Sequence, residues 1–76
     1  MTAVEVERLI LNAMPDAGVK AEDMTGTGDH FEILVISDSF KGKSLIDQHK
    51  MVFSILEKEM GTNAVHAVKL KTRMPQ

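Results

Sequence analysis

Three histidines, a glycine flanked by lysines and a scatter of carboxylates are the side chains of this 76-residue chain that could do chemistry. There is no cysteine. No thiol can act as a nucleophile, close a disulfide or ligate a metal. A metal or cluster must therefore be met through His, Asp, Glu or the backbone, or with thiolates borrowed from a partner. His30 opens the run Phe31-Glu32-Ile33-Leu34-Val35-Ile36, and His66 opens Ala67-Val68-Lys69-Leu70. Both runs read as strands. If the two lie side by side and parallel, their starts share one end of the sheet, about 4.8 Å apart. Two imidazoles there could converge on one metal. Alternation adds a condition: Phe31, Ile33 and Val35 share the core face, so His30 must act from the preceding turn, which Gly26 and Gly28 make adaptable. Two unrelated edge histidines are the alternative. His49 falls inside the apolar arc of a helix and reads as a core or core-edge residue with a hydrogen-bond partner.

Other chemistries fare worse. Phe40-Lys41-Gly42-Lys43-Ser44 carries the Gly-Lys-Ser tail of a phosphate loop, but the glycine needed five residues earlier is Ser37. Glu5 and Glu7 lie on what reads as an exposed helix turn, and Glu57 and Glu59 near a helix end, so no acid/base pair stands out. A chain this short has little room for a pocket, and an independent enzyme is not expected. Net charge is −2, unevenly spread. Residues 1–38 hold two basic and eight acidic side chains, and residues 39–76 hold seven basic and three acidic. Lys41, Lys43 and Lys50 fall together in the basic half and could meet phosphates. Seven solvated cations can equally serve solubility alone. With Trp and Tyr absent, an aromatic platform for single-stranded nucleic acid is not expected.

The elements that must position these groups follow from periodicity. Thr2 is a candidate N-cap with Glu5 three residues on, a capping box for a helix over 3–14 that Pro15 ends. Residues 19–24 form a first strand, Thr25-Gly26-Thr27-Gly28-Asp29 a turn and residues 30–36 a second strand, together a hairpin. Residues 37–42 read as a loop, and 43–60 as a helix with Gly61 at its end. Leu45, Val52, Leu56 and Met60 mark that helix's apolar face. Residues 64–71 form the last strand. The order helix–strand–strand–helix–strand is an α+β two-layer sandwich. Its three-stranded sheet is mixed: the hairpin pair is antiparallel, and a crossover makes the last strand parallel to the second. Residues 1–76 are read as a single domain. No apolar run approaches a membrane span. Glu5 and Glu7 precede any apolar stretch, unlike a signal or transit peptide, so a cytoplasmic location is expected.

Three stretches, in order and at matching spacing, resemble one family. Val35-Ile36-Ser37-Asp38-Ser39-Phe40-Lys41-Gly42-Lys43-Ser44 is similar to a signature V-x-S-x-x-F-x-G-K-S/P, Gln48-His49-Lys50-Met51-Val52 to R/Q-H-x-x-V, and Val65-His66-Ala67-Val68 to I/V-H-A-L/V. The chain resembles the BolA family over residues 4–75. That resemblance implies a fold like a type II KH domain and pairing with a monothiol glutaredoxin. It implies a shared 2Fe–2S cluster, to which the glutaredoxin brings a cysteine and a glutathione thiol. The ligands carried over to this chain are His66, from the H-A motif, and His30, from the loop between the first two strands, as in a histidine-loop subtype. A role in iron–sulfur and iron homeostasis follows. The family is also associated with DNA binding and transcriptional regulation, which would fall to Lys41, Lys43 and Lys50. A KH-type clamp uses a G-x-x-G loop, however, and this chain has only Gly42 there. Whether the chain also forms a homodimer is left open.

Overall fold

Helix α1 (Ala3–Ala13) begins with the capping box that its sequence implies. The Glu5 amide donates to Thr2 Oγ1 at 3.2 Å, and the Thr2 amide to Glu5 Oε1 at 3.0 Å. Hydrogen bonding to the Glu5 carboxylate, from the Thr2 amide first and the Thr2 hydroxyl second, holds that carboxyl below its ordinary value of 4.5. A depressed carboxyl contributes stability that is present above its unfolded value and lost as pH falls through its folded one. The expected result is that the first turn of α1 frays in acid. An NMR titration should place the Glu5 midpoint below that of Glu in the unfolded chain; an equal midpoint would show the box unformed in solution.

The computed structural model describes residues 2–26, 28, 30–61 and 68–75. After α1 come β1 (Gly18–Asp23), β2 (Phe31–Ile36), a 3-10 turn (Asp38–Phe40), α2 (Leu45–Met60) and β3 (Val68–Arg73). The sheet runs β1-β2-β3, antiparallel between β1 and β2 and parallel between β2 and β3. This is the expected α+β order with its mixed three-stranded sheet. Phe31, Ile33 and Val35 share the buried face of β2, and Val6 and Ile10 of α1 and Val52 and Leu56 of α2 complete the core over them. Each such side chain contributes roughly 1.5–3 kcal/mol by leaving water. The opposite face of the sheet is open. It carries a shallow hollow of about 220 Å³ over Leu34, where Lys71 pairs with Glu32 at 3.5 Å and Lys20 with Glu22 at 3.7 Å.

Several boundaries differ from the sequence reading, each for a local reason. Helix α2 starts at Leu45 rather than residue 43, because the Ser44 hydroxyl caps it by accepting from the Asp47 amide at 3.2 Å. Leu45 and Ile46 are 60% and 69% exposed. A helical wheel gives the direction of a face but not the length over which something lies beneath it, and α2 meets the core through Val52 and Leu56. The loop over 37–42 contains the 3-10 turn, and this turn delivers Phe40 into the core. Strand β3 continues past residue 71 to Arg73. Thr72 pairs with Val35, and its hydroxyl donates to Gln48 Oε1 on α2 at 2.7 Å. The beginning expected for the last strand, residues 64–67, lies outside the described residues.

Ser37 ties this end of the molecule together. It is fully buried, donates from Oγ to Asp16 Oδ2 at 2.6 Å and accepts from the Ser39 amide at 3.0 Å. Its amide donates to the Arg73 carbonyl at 3.0 Å. One residue thus joins the α1–β1 connection, the 3-10 turn and the end of β3. Replacing it with Ala removes the bond to the Asp16 carboxylate, a charged acceptor, and the acceptor of the Ser39 amide, so Ser37→Ala is expected to cost about 1–3 kcal/mol. Urea unfolding measures this, and an unchanged midpoint would contradict it.

Candidate functional site

The stretch Val35–Ser44, the longest of the three motifs, proves to be a strand-to-helix connection. Val35, Ser37 and Phe40 are buried, Gly42 has φ +78° and Ser44 caps α2. With the Ser44 hydroxyl turned back on the Asp47 amide, the Gly-Lys-Ser tail serves the helix start. Lys41 and Lys43 lie exposed on either side of Gly42, and Lys50 is exposed on α2. None of the three makes an ion pair among the described residues. Lys43 lies outside the helix in which the sequence reading placed it, and its carbonyl accepts from Gln48 Nε2 at 2.9 Å.

The histidine end of the sheet is built by β2 and β3. Phe31 pairs with Val68 in the parallel register, so the two strands start at the same end, as the metal reading requires. His30 is exposed and stands immediately before Phe31, just outside β2 rather than within it. Its carbonyl accepts from the Met24 amide at 2.8 Å, the bond that closes the β1–β2 hairpin. The imidazole therefore leaves from the mouth of the turn, as the alternation argument demanded. Gly26 and Gly28 in that turn have φ of +75° and +78°, the left-handed region that glycine supplies without strain. His66 lies outside the described residues; in sequence it stands two residues before Val68. His49 is half-buried, and its ring meets Phe53 edge to face at 6.2 Å, a core-edge position whose contact is aromatic.

Two carboxylates play parts that their sequence positions did not suggest. Glu7, expected on an exposed turn, is half-buried, and its Oε2 accepts from the Ala21 amide at 2.9 Å. It thereby satisfies a donor on the outer edge of β1, where an unpaired amide would otherwise invite another strand. Asp23, the last residue of β1, gathers the turn that precedes His30. Its Oδ1 accepts from the Thr25 and Gly26 amides and its Oδ2 from the Gly28 amide. An Asp followed two residues later by Thr-Gly is the available signal for such a side-chain-held turn.

Comparison with known proteins agrees with this architecture. The family model described as BolA-like protein matches residues 2–76. The chain belongs to the BolA family. A BolA relative, the uncharacterized protein RP812 of Rickettsia prowazekii, is 32% identical over 72 residues, covering 95% of this chain and 92% of that protein. The NMR structure of that BolA-like protein superposes with a TM-score of 0.76 at 29% identity, covering 100% of this chain and 97% of the other. Protein BOLA2 of Arabidopsis thaliana is 33% identical over 72 residues, 93% of this chain and 75% of that protein. The DNA-binding transcriptional regulator BolA of Escherichia coli K12 is 38% identical over 47 residues, 62% of this chain and 44% of the regulator. Among the described residues, no helix of this BolA chain is long and apolar enough to cross a membrane.

Proposed function

We propose that this BolA-family chain is a non-enzymatic, cytoplasmic partner of a monothiol glutaredoxin, with which it shares or hands on a 2Fe–2S cluster. The observation that carries the reading is the position of His30: an exposed imidazole at the mouth of the hairpin, at the sheet end where β2 and β3 start in register. His66, two residues before Val68 in sequence, is the second ligand and the one common to the H-A motif. The donor chemistry suits a shared site. With no cysteine, this chain offers imidazole nitrogens, and the thiolates that hold most iron–sulfur clusters come from the partner and its glutathione. Bound there, the cluster supplies iron with mixed nitrogen and sulfur ligation. The chain's own residues present the nitrogens and bring the partner's thiolates to them. The test is anaerobic mixing with a monothiol glutaredoxin, glutathione, iron and sulfide, followed by visible circular dichroism. A spectrum distinct from that of the glutaredoxin homodimer, saturating at one chain per glutaredoxin, supports the reading. A spectrum unchanged by this chain sinks it.

A second reading, a KH-like DNA-binding regulator, is favoured by the name of the E. coli relative and by the exposed Lys41 and Lys43 beside Gly42. Phosphate contacts are read by salt: affinity for duplex DNA should fall steeply with ionic strength, with a slope flattened by roughly one for each lysine replaced by Ala.

A further inference from the structure

One carboxylate holds the turn from which His30 leaves. Asp23 accepts three backbone amides: Thr25 at 3.2 Å and Gly26 at 2.9 Å on Oδ1, and Gly28 at 2.7 Å on Oδ2. The left-handed backbone at Gly26 and Gly28 accompanies this inward turn of the amides. On the strand side, the Met24 amide donates to the His30 carbonyl at 2.8 Å. Asp23 thus opens the turn and His30 closes it, one through its side chain and the other through its backbone carbonyl. Asp23 is half-buried at the end of β1, opposite Phe31 in the register, so its own position is set by the sheet.

We propose that Asp23 is the positioning residue of the histidine loop: its carboxylate gathers the Thr25, Gly26 and Gly28 amides and so fixes where His30 leaves the hairpin. The inference rests on the reading of His30 as a ligand and adds the group that orders it. All three amide bonds end on the Asp23 carboxylate, which serves in this proposal as the frame of the turn. Replacing an outer group that orients a ligand typically costs tenfold to hundredfold in metal affinity.

Two variants of the full chain test this. Asp23→Ala removes all three acceptor contacts. Asp23→Asn keeps the shape and Oδ1 but puts an amide nitrogen, which cannot accept, opposite Gly28. Three readouts are compared with wild type: hydrogen exchange at Gly26 and Gly28, the NMR signals of the His30 ring, and loss of the glutaredoxin-shared cluster to an iron chelator. For Asp23→Ala, the two amides should exchange roughly tenfold faster or more, for each about 1.4 kcal/mol of protection lost. The His30 ring should lose its single set of environment-shifted signals, and the cluster should be lost on the order of tenfold faster. Asp23→Asn should fall between, with a thermal midpoint close to wild type. Unchanged amide protection in Asp23→Ala overturns the proposal. So does unchanged cluster loss despite loosened amides, which would make Asp23 a loop-stability residue only. If wild type forms no shared cluster, the ligand reading of His30 fails, and the ring signals decide the positioning claim by themselves. Signals that move toward those of a free imidazole in both variants uphold it, and signals identical to wild type overturn it.

Discussion

Phe40→Ala is expected to leave this chain largely unfolded at 37 °C. Phe40 is one of three aromatic residues and is fully buried, although it comes from a 3-10 turn in the connection between β2 and α2. It joins a core of Val6, Ile10, Phe31, Ile33, Val35, Val52 and Leu56. Truncating such a ring costs about 3–5 kcal/mol, the lost transfer energy plus the cavity left behind. Stabilities of roughly 0.05–0.15 kcal/mol per residue give a chain of 76 residues only about 4–11 kcal/mol in all. A domain this small belongs toward the lower end, because it buries a smaller share of its surface. The thermal midpoint should therefore fall by roughly 12–40 °C. Phe40→Leu, which keeps much of the volume, should lose far less. Thermal unfolding followed by circular dichroism checks both, and a loss under about 1 kcal/mol for Phe40→Ala would show that the connection does not close the core.

His66→Ala should abolish the cluster shared with glutaredoxin, whereas His30→Ala should weaken it. The asymmetry follows from what each residue can be replaced by. His66 belongs to the H-A motif and is the ligand that the family resemblance carries over most directly. His30 leaves from a turn, where a neighbouring donor or solvent can fill the vacated position with less rearrangement. Loss of an inner ligand typically removes far more than the tenfold to hundredfold effect of an outer one. Visible absorption after anaerobic assembly measures both variants. The visible bands should collapse to those of the glutaredoxin homodimer for His66→Ala and show a shifted heterodimer spectrum for His30→Ala. Wild-type spectra from both variants would place the ligands elsewhere.

Much of this fold is legible in local sequence, because short-range rules decide it. The Thr2–Glu5 box, the end of α1 before Pro15, the alternation Phe31-Ile33-Val35 and the hairpin turn with Gly26 and Gly28 are all set by neighbours within a few residues. The parallel pairing of β2 and β3 follows from topology, since a crossover helix leaves few other arrangements. The rest depends on contacts between distant segments. Nothing in the spacing around Ser37 points to Asp16, 21 residues earlier, and nothing around Glu7 points to the Ala21 amide. Phe40 reads as a loop residue because a single apolar side chain has no periodicity. Leu45 reads as core because a wheel carries no information on where the sheet beneath stops; it is exposed. At the candidate site, the shared end of β2 and β3 could be reasoned from sequence. For Asp23 the Asp-x-Thr-Gly spacing signals a side-chain-held turn, but not which three amides it collects, since that depends on how the turn curls.

The most direct test of histidine ligation uses this chain labelled with 15N-histidine and a glutaredoxin at natural abundance. The shared cluster is assembled, reduced by one electron and read by pulsed electron paramagnetic resonance. A 15N hyperfine coupling of the size of a coordinated imidazole, absent from the unlabelled sample and lost in His66→Ala, is the predicted result. Identical spectra from labelled and unlabelled chains would mean that no histidine of this chain ligates the cluster, and would contradict the account.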